Sequence, residues 1–232
     1  DIHAKSLKSA KTTTLRLKIK LNQWASFLCV RLYDKCGMVA KEMMQYVPNT
    51  LKVRYEKKFF LQLLGVDYET FVPSIASEAQ KQLGLEQGHY VLFSDVANTP
   101  IKRRDIAEAI VNNMGEKYKL LIMCGVKPDV VPLYINAADF VLLTSDEEGS
   151  PNIIREALAL NKRVYSVEVG DVAKQLKGLS NSLIVSRNVL DAVKAILQNL
   201  ECAYTDNTRI KLQRVLDFKY LNENVIDLYE NS

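Results

Sequence analysis

Beyond Gly88 the chain alternates short apolar runs with amphipathic stretches. The runs at 90–93, 120–124, 140–144 and 164–167 are short, apolar and closed by glycine or polar residues, the mark of strands buried on both faces. A weaker run at 182–185 reads the same way. Between them, apolar spacing of three or four residues predicts helices at 102–114, 131–137, from Pro151 onward, at 172–176 and at 189–200. Strands alternating with helices at this spacing give βαβ units, hence an α/β fold with a parallel sheet and helices on both faces. Upstream, Leu17, Leu21, Trp24, Leu28, Cys29 and Leu32 predict one amphipathic helix within 15–41, broken before Pro48 and Asn49. The alternation at 51–55 predicts a strand, and the apolar run 59–64 a second, ending at Gly65-Val66-Asp67. Pro73 and the polar 74–77 read as a surface connection. Residues 209–229 predict one or two terminal helices interrupted near Asp217. The chain contains no internal repeat and no low-complexity segment.

The stretch 142–159 concentrates the chemistry. It reads as the end of a buried strand, an acidic turn with Gly149, and a helix whose start carries Ser150 as N-cap and Pro151 in the first turn. In open α/β sheets, ligands sit beyond the carboxyl ends of the strands, where helix N-termini present free N–H groups. Glu148 precedes this helix and Glu156 lies in its second turn. Carboxylates that accept hydroxyl protons, flanking N–H groups that meet phosphate oxygens, suit a polyhydroxylated anionic ligand. Taken alone, two glutamates at this spacing describe a solvated helix face.

Composition narrows the class. With 48% hydrophobic and 25% charged residues the chain is that of an ordinary globular protein, and 232 residues are enough for a sizeable core. No apolar run approaches the roughly 18 residues needed to cross a bilayer. The first residues do not pattern as a secretory signal, and a start at Asp1 is expected of a fragment or processed chain. Cys29, Cys36, Cys124 and Cys202 lack metal or disulfide-scaffold spacing and are read as reduced thiols of a cytosolic protein. The net charge of +4 is uneven: residues 1–58 hold 13 Lys/Arg against 4 Asp/Glu, the remainder 18 against 23. Such a basic first quarter is in the first place a solvated helix face and in the second a contact for an anionic membrane surface. Nucleic acid is not expected, since interleaved aromatics and a recognition motif are absent.

Four loops at strand carboxyl ends are candidates: 94–104, 125–131, 145–152 and 168–171. Lys102, Arg103 and Arg104 place three cations where the first loop becomes a helix, a position suited to phosphate. The sequence contains neither G-x-x-x-x-G-K-[ST] nor G-x-G-x-x-G, which argues against nucleotide hydrolysis and dinucleotide-dependent dehydrogenation. His3 and His89 have no partner at metal or triad spacing and are read as surface residues. Ser145 and Ser150 lack a nucleophile-elbow context. Gly170-Asp171 by itself is a turn.

Residues 131–139 (Val-Pro-Leu-Tyr-Ile-Asn-Ala-Ala-Asp), then the strand, then 145–159 (Ser-Asp-Glu-Glu-Gly-Ser-Pro-Asn-Ile-Ile-Arg-Glu-Ala-Leu-Ala) closely resemble the retaining glycosyltransferases of the large sucrose-synthase-like family four. Val169-Gly170-Asp171-Val172 resembles the same family, and Leu63-Leu64-Gly65-Val66-Asp67 with Phe71 is similar to its interdomain segment. The resemblance covers roughly 55–200. It implies a Rossmann-like donor-binding half of a two-domain GT-B transferase, with the N-terminal domain largely missing. The implied layout is a helical remnant of the acceptor domain at 1–47, the donor domain at 48–200 and C-terminal helices packing back at 201–232.

What the resemblance implies for activity is transfer of a sugar, with retention of anomeric configuration, from a UDP-, GDP- or ADP-linked donor to an unknown acceptor. Such a hexosyltransferase would act in polysaccharide or glycoconjugate synthesis, in the cytoplasm or at the inner face of the membrane through the basic segment. By the same resemblance Glu148 and Lys102 are catalytic: Glu148 meets the donor sugar or its developing charge, and Lys102 neutralises the diphosphate leaving group, with Arg103 beside it. Glu156 bonds the ribose hydroxyls, the backbone of Gly149, Ser150, Pro151 and Asn152 lies against sugar and phosphates, and Gly125 and Val126 face the base. No metal or other cofactor is expected. The chain departs from the family at Ser94-Asp95-Val96, where a glycine and an arginine are usual, placing more of the diphosphate on Lys102. It departs again at Arg163, where proline is usual. A chain with only half of the site is expected to bind donor weakly and transfer poorly. The alternative reading is a non-catalytic nucleotide-sugar-binding or interaction module of the same fold; an epimerase of the same architecture is a third.

Overall fold

A computed structural model describes residues 13–40, 44, 47, 49–95, 99–203 and 207–230. His3, the basic residues before Thr13, Pro48 and Val96 lie outside them. The chain divides into two units, Asp1–Leu63 with Asp227–Ser232, and Leu64–Ile226.

In the first unit, helix α1 (Thr13–Leu32) is followed by strand β1 (Cys36–Met38), helix α2 (Asn49–Tyr55) and strand β2 (Phe59–Leu61). The expected helix forms but stops at Leu32. Its last turn is closed by Lys58, whose ammonium donates to the carbonyls of Val30 (3.3 Å), Arg31 (3.2 Å) and Tyr33 (2.7 Å). β1 pairs in parallel with β2, Cys36 opposite Phe59. Residues 51–55, expected as a strand, are helical instead. Of the alternating positions Leu51, Val53 and Tyr55 only Leu51 is buried, and Val53 is 83% exposed, so the alternation has no apolar face to lie on. The strand is taken by the apolar run just after it, and ends at Leu61 rather than Leu64.

The second unit contains helix α3 (Ala76–Gln82), strand β3 (His89–Ser94), α4 (Arg104–Asn113), β4 (Tyr118–Met123), α5 (Val131–Ala137) and β5 (Phe140–Leu143). These are followed by α6 (Asn152–Ala159), β6 (Arg163–Ser166), α7 (Val172–Gln175), β7 (Leu183–Ile184), α8 (Val189–Glu201), α9 (Thr208–Leu216) and α10 (Phe218–Glu230). The strands form one parallel sheet in the order β4-β3-β5-β6-β7. Side chains alternate across it. Leu92, Val141, Leu143 and Val164 pack one face against Ile135 of α5 and Ile154 and Leu158 of α6. Val91, Phe93, Phe140, Leu142 and Tyr165 pack the other against Ile110 of α4 and Ile196 of α8. Phe140 meets Tyr165 edge-on at 4.9 Å between ring centroids. The α/β fold with helices on both faces of a parallel sheet is the one the apolar runs predict.

Two departures bear on the site. α4 begins at Arg104, and Lys102 belongs to a separate single 3-10 turn, Pro100–Lys102. The break is made by Arg103, whose φ of 52° is left-handed. The expected break at Asp217 occurs because the chain there pairs with Val66: Val66 N donates to Leu216 O (2.7 Å) and Phe218 N to Val66 O (3.1 Å). A side chain at Gly65 would lie 2.6 Å from the Phe218 Cα, so glycine alone permits this approach.

Candidate functional site

The strand order sets the place. From β3 the chain moves outward to β4 and then returns to β5 on the other side of β3, so the crossovers diverge between β3 and β5. The carboxyl ends of that strand pair form the crevice in which open α/β sheets bind ligands. The loop after β3 delivers Lys102 there, and the loop after β5 delivers Glu148.

Lys102 Nζ donates to Glu148 Oε1 at 2.7 Å, with side chains 22% and 13% exposed. Ser145 Oγ donates to the same oxygen, also at 2.7 Å. The 3-10 turn carrying Lys102 hangs from the end of β5, because Asp146 N donates to Ile101 O (2.8 Å) and the Thr144 hydroxyl to the carbonyls of Lys102 and Arg103. Arg103 is brought near but is already engaged. Its Nη2 and Nε meet Asp105 at 2.9 and 3.0 Å, and its Nη1 meets Asp146 at 3.4 Å. The Asp105 carboxyl is held below its ordinary range by that bond.

Arg187 is absent from the residues the sequence marks for the site, because it follows β7, a strand of only two residues. It donates to Asp146 (2.9 Å) and to the Ser145 carbonyl (2.9 Å), bracing the start of the Glu148 loop. Its signal was its position at the carboxyl end of a strand. A cleft lined by Asp95, Thr99, Pro100, Arg104, Asp105 and Asp146, with Arg103, balances two arginines against three aspartates and so is not a cationic pocket.

The loop 149–152 is anchored from below. Ser150 was expected to cap α6; instead Pro151 holds the cap position, without a side-chain bond, and α6 starts at Asn152. The Ser150 hydroxyl donates to Asp171 Oδ2 (2.7 Å) and accepts from Arg155 Nη1 (2.5 Å). Arg155, only 3% exposed, also donates to Ser150 O (3.1 Å) and Asn152 Oδ1 (2.5 Å). A buried guanidinium needs acceptors, and it takes the serine that would otherwise cap the helix. Gly170 is more than a turn: at φ 54°, a side chain there would sit 2.4 Å from Gly149 O. Asp171 N donates to that same carbonyl at 3.2 Å. The loop after β6 is thereby pressed against the loop after β5.

Glu156 projects from the second turn of α6 in a half-buried setting. Burial pushes its carboxyl up to about 7, partly opposed by the charge of Arg155. Gly125, at φ 64°, and Val126 lie in the loop after β4, two strands from β5 and therefore about 10 Å away along the strand-spacing direction. Val126 packs on the apolar layer beneath. Cys29, Cys36, Cys124 and Cys202 are free thiols. Among the described residues no group of three or more His, Cys, Asp or Glu is placed to hold a metal ion, and no helix is long and apolar enough to cross a membrane.

No model of a known protein family and no curated relative matches this sequence. Solved structures do match the fold. Sucrose-phosphate synthase from Thermosynechococcus elongatus aligns over 99% of this chain with a TM-score of 0.70 at 18% identity. Anabaena HepE in complex with UDP and glucose aligns over 95% with a TM-score of 0.70 at 15% identity. A glycosyltransferase from Rickettsia africae aligns over 85% with a TM-score of 0.69 at 13% identity. The chain spans 65%, 68% and 63% of the lengths of these three structures. Its parallel sheet with helices on both faces is the fold of the carboxyl-terminal half of GT-B glycosyltransferases.

Proposed function

We propose that this chain is the donor-binding part of a glycosyltransferase that takes a sugar from a nucleotide sugar and transfers it, with retention, to an acceptor held by a further domain. The observation that carries the reading is the Lys102–Glu148 pair, 2.7 Å apart at the divergence between β3 and β5. The fold neighbours support it, one of them being a complex with UDP and glucose.

In this reading the diphosphate takes the Lys102 ammonium and the N-terminal end of α6, while Glu148, released from the lysine, faces the donor sugar. As the bond from the anomeric carbon to diphosphate oxygen breaks, its electron pair stays on the leaving oxygen. A preorganised cation and helix dipole lower the cost of that charge. Glu156, as carboxylate, accepts from the ribose hydroxyls. Gly125 and Val126, about 10 Å across the sheet edge, receive the base. Arg103, already matched by Asp105 and Asp146, is assigned an indirect role: it holds the loop that carries Lys102.

The first unit is assigned to the acceptor side. A parallel pair of strands is rarely found except within a larger covered sheet, and β1 and β2 are such a pair. Polysaccharide or glycoconjugate synthesis is the setting proposed. Calorimetric titration with UDP-, GDP- and ADP-sugars tests the reading. One class is expected to bind, and Glu156→Ala to abolish that binding; a folded chain that binds none of them removes the assignment.

A further inference from the structure

We propose that Thr144 is a positioning residue, setting where the Lys102 ammonium stands by holding the main chain of Lys102 and Arg103 on the end of β5. The proposal rests on the donor-site reading above.

Thr144 is the first residue beyond β5 and is fully buried. Its single hydroxyl proton is shared between Lys102 O at 3.0 Å and Arg103 O at 2.9 Å. These carbonyls lie at the junction of the 3-10 turn and α4. Lys102 is the last residue of the 3-10 turn, α4 begins at Arg104, and Arg103 between them is in a left-handed conformation that residues other than glycine rarely adopt. Arg103 O also accepts from Ile106 N and Ala107 N at the start of α4; the Lys102–Arg103 peptide is held within its turn by Arg103 N donating to Pro100 O (3.1 Å), and its carbonyl is tied to the end of β5 by Thr144, beside the Asp146 N–H to Ile101 O bond. The lysine stem leaves from this peptide, so rotating the peptide re-aims the side chain, and bringing the ammonium back to the same point then requires a different set of rotamers.

The next residue completes the arrangement. Ser145 Oγ donates to Glu148 Oε1 at 2.7 Å, so two consecutive residues hold the two partners of the ion pair, one through the main chain of the cation and one through the carboxylate. In the sequence Thr144 is only the end of an apolar run, since nothing near it in the chain shows what its hydroxyl reaches 42 residues away.

Thr144→Val keeps shape and volume and removes the donor; Thr144→Ser keeps the donor and removes a methyl group. The unmodified chain, both variants, Lys102→Met and the double variant Thr144→Val/Lys102→Met are titrated with UDP, GDP and ADP, and the tightest of the three is followed. Thr144→Val is expected to weaken binding about tenfold, the worth of one net hydrogen bond. Thr144→Ser is expected to restore it to within about twofold. In the Lys102→Met background Thr144→Val is expected to have no further effect, because the two changes act through one group. A tenfold loss that persists in that background, or wild-type binding by Thr144→Val, overturns the proposal. If Lys102→Met alone leaves binding unchanged, or the unmodified chain binds none of the three, the donor-site reading fails and the proposal falls with it. A Thr144→Val chain that does not fold leaves the decision to Thr144→Ser, for which binding well below wild type overturns the claim that the hydroxyl is what matters.

Discussion

Lys102 Nζ and Glu148 Oε1 are 2.7 Å apart although 46 residues separate them in the chain. With both side chains less than a quarter exposed, the ion pair is partly shielded from water, and a diphosphate that takes the lysine must compete with the glutamate. Glu148→Gln removes the competitor. Affinity for bare UDP, GDP or ADP is expected to rise by about fivefold, near 1 kcal/mol, while affinity for the corresponding nucleotide sugar falls. Calorimetry on the same variant measures both. A loss of affinity for the bare diphosphate would show that the two residues do not compete.

If Glu156 lies in the donor site as proposed, nucleotide binding and stability are expected to depend on pH in opposite senses. Its carboxyl is pushed up to about 7 from an ordinary 4.5, first by burial. Between those values the folded state holds a proton that the unfolded state has released, so stability falls as pH rises from about 4.5 to about 7, by at most roughly 3 kcal/mol. An ionised carboxylate accepts from ribose hydroxyls more strongly than the protonated acid, so nucleotide binding is expected to strengthen over pH 6 to 8. Glu156→Gln should flatten both profiles, followed by thermal melts and titrations across that range. Profiles that keep their slope in Glu156→Gln place the titration elsewhere.

Gly170 and Gly125 both have positive φ, yet their replacement should differ. A side chain at Gly125 meets nothing within 4 Å, so Gly125→Ala is expected to cost only the left-handed penalty, about 1 kcal/mol. At Gly170 the added carbon would lie 2.4 Å from Gly149 O and 2.9 Å from Glu148 O, both main-chain atoms. Gly170→Ala must push apart the loops after β5 and β6, at about 3 kcal/mol or more, with loss of nucleotide binding. Urea unfolding compares the two directly; equal costs would contradict this account.

Arg155 is the deeply buried cation beneath the 149–152 loop. Burial lowers its affinity for its proton, while the charge of Asp171 acts the other way. Arg155→Met is expected to destabilise the fold by about 3 kcal/mol, because Asp171, 8% exposed, keeps a charge that the guanidinium no longer balances. Adding Asp171→Asn should recover about 1–2 kcal/mol of that. Strictly additive costs in denaturant titrations would rule out the coupling.

Much of this fold is written in single segments. The runs at 90–93, 140–144 and 164–167 are mostly apolar, with Thr144 and Ser166 the polar exceptions, because both faces of a parallel sheet are covered, and each lies on a strand in the structure. The run 51–55 misleads for the complementary reason: five alternating residues fit a strand or part of a short helix, and Val53 faces water. Ser150 looks like a helix cap when only its neighbours in sequence are considered. Arg155, five residues on, claims its hydroxyl once both are enclosed together with Asp171.

The apolar periods, the placement of Gly149 and Pro151 between a strand and a helix, and the spacing of Glu148 and Glu156 follow from residue types along the chain. They are enough for the α/β class and for choosing the loop after β5. Which loops face one another is decided by strand order, and β4-β3-β5-β6-β7 cannot be read from any one strand, since all are similar apolar runs whose hydrogen bonds are made by main chain. Only that order brings Thr144 to Arg103, Arg187 to Asp146 and Lys102 to Glu148. Each of these contacts joins polar atoms about 40 or more positions apart, selected by packing of the whole sheet rather than by anything local to either residue.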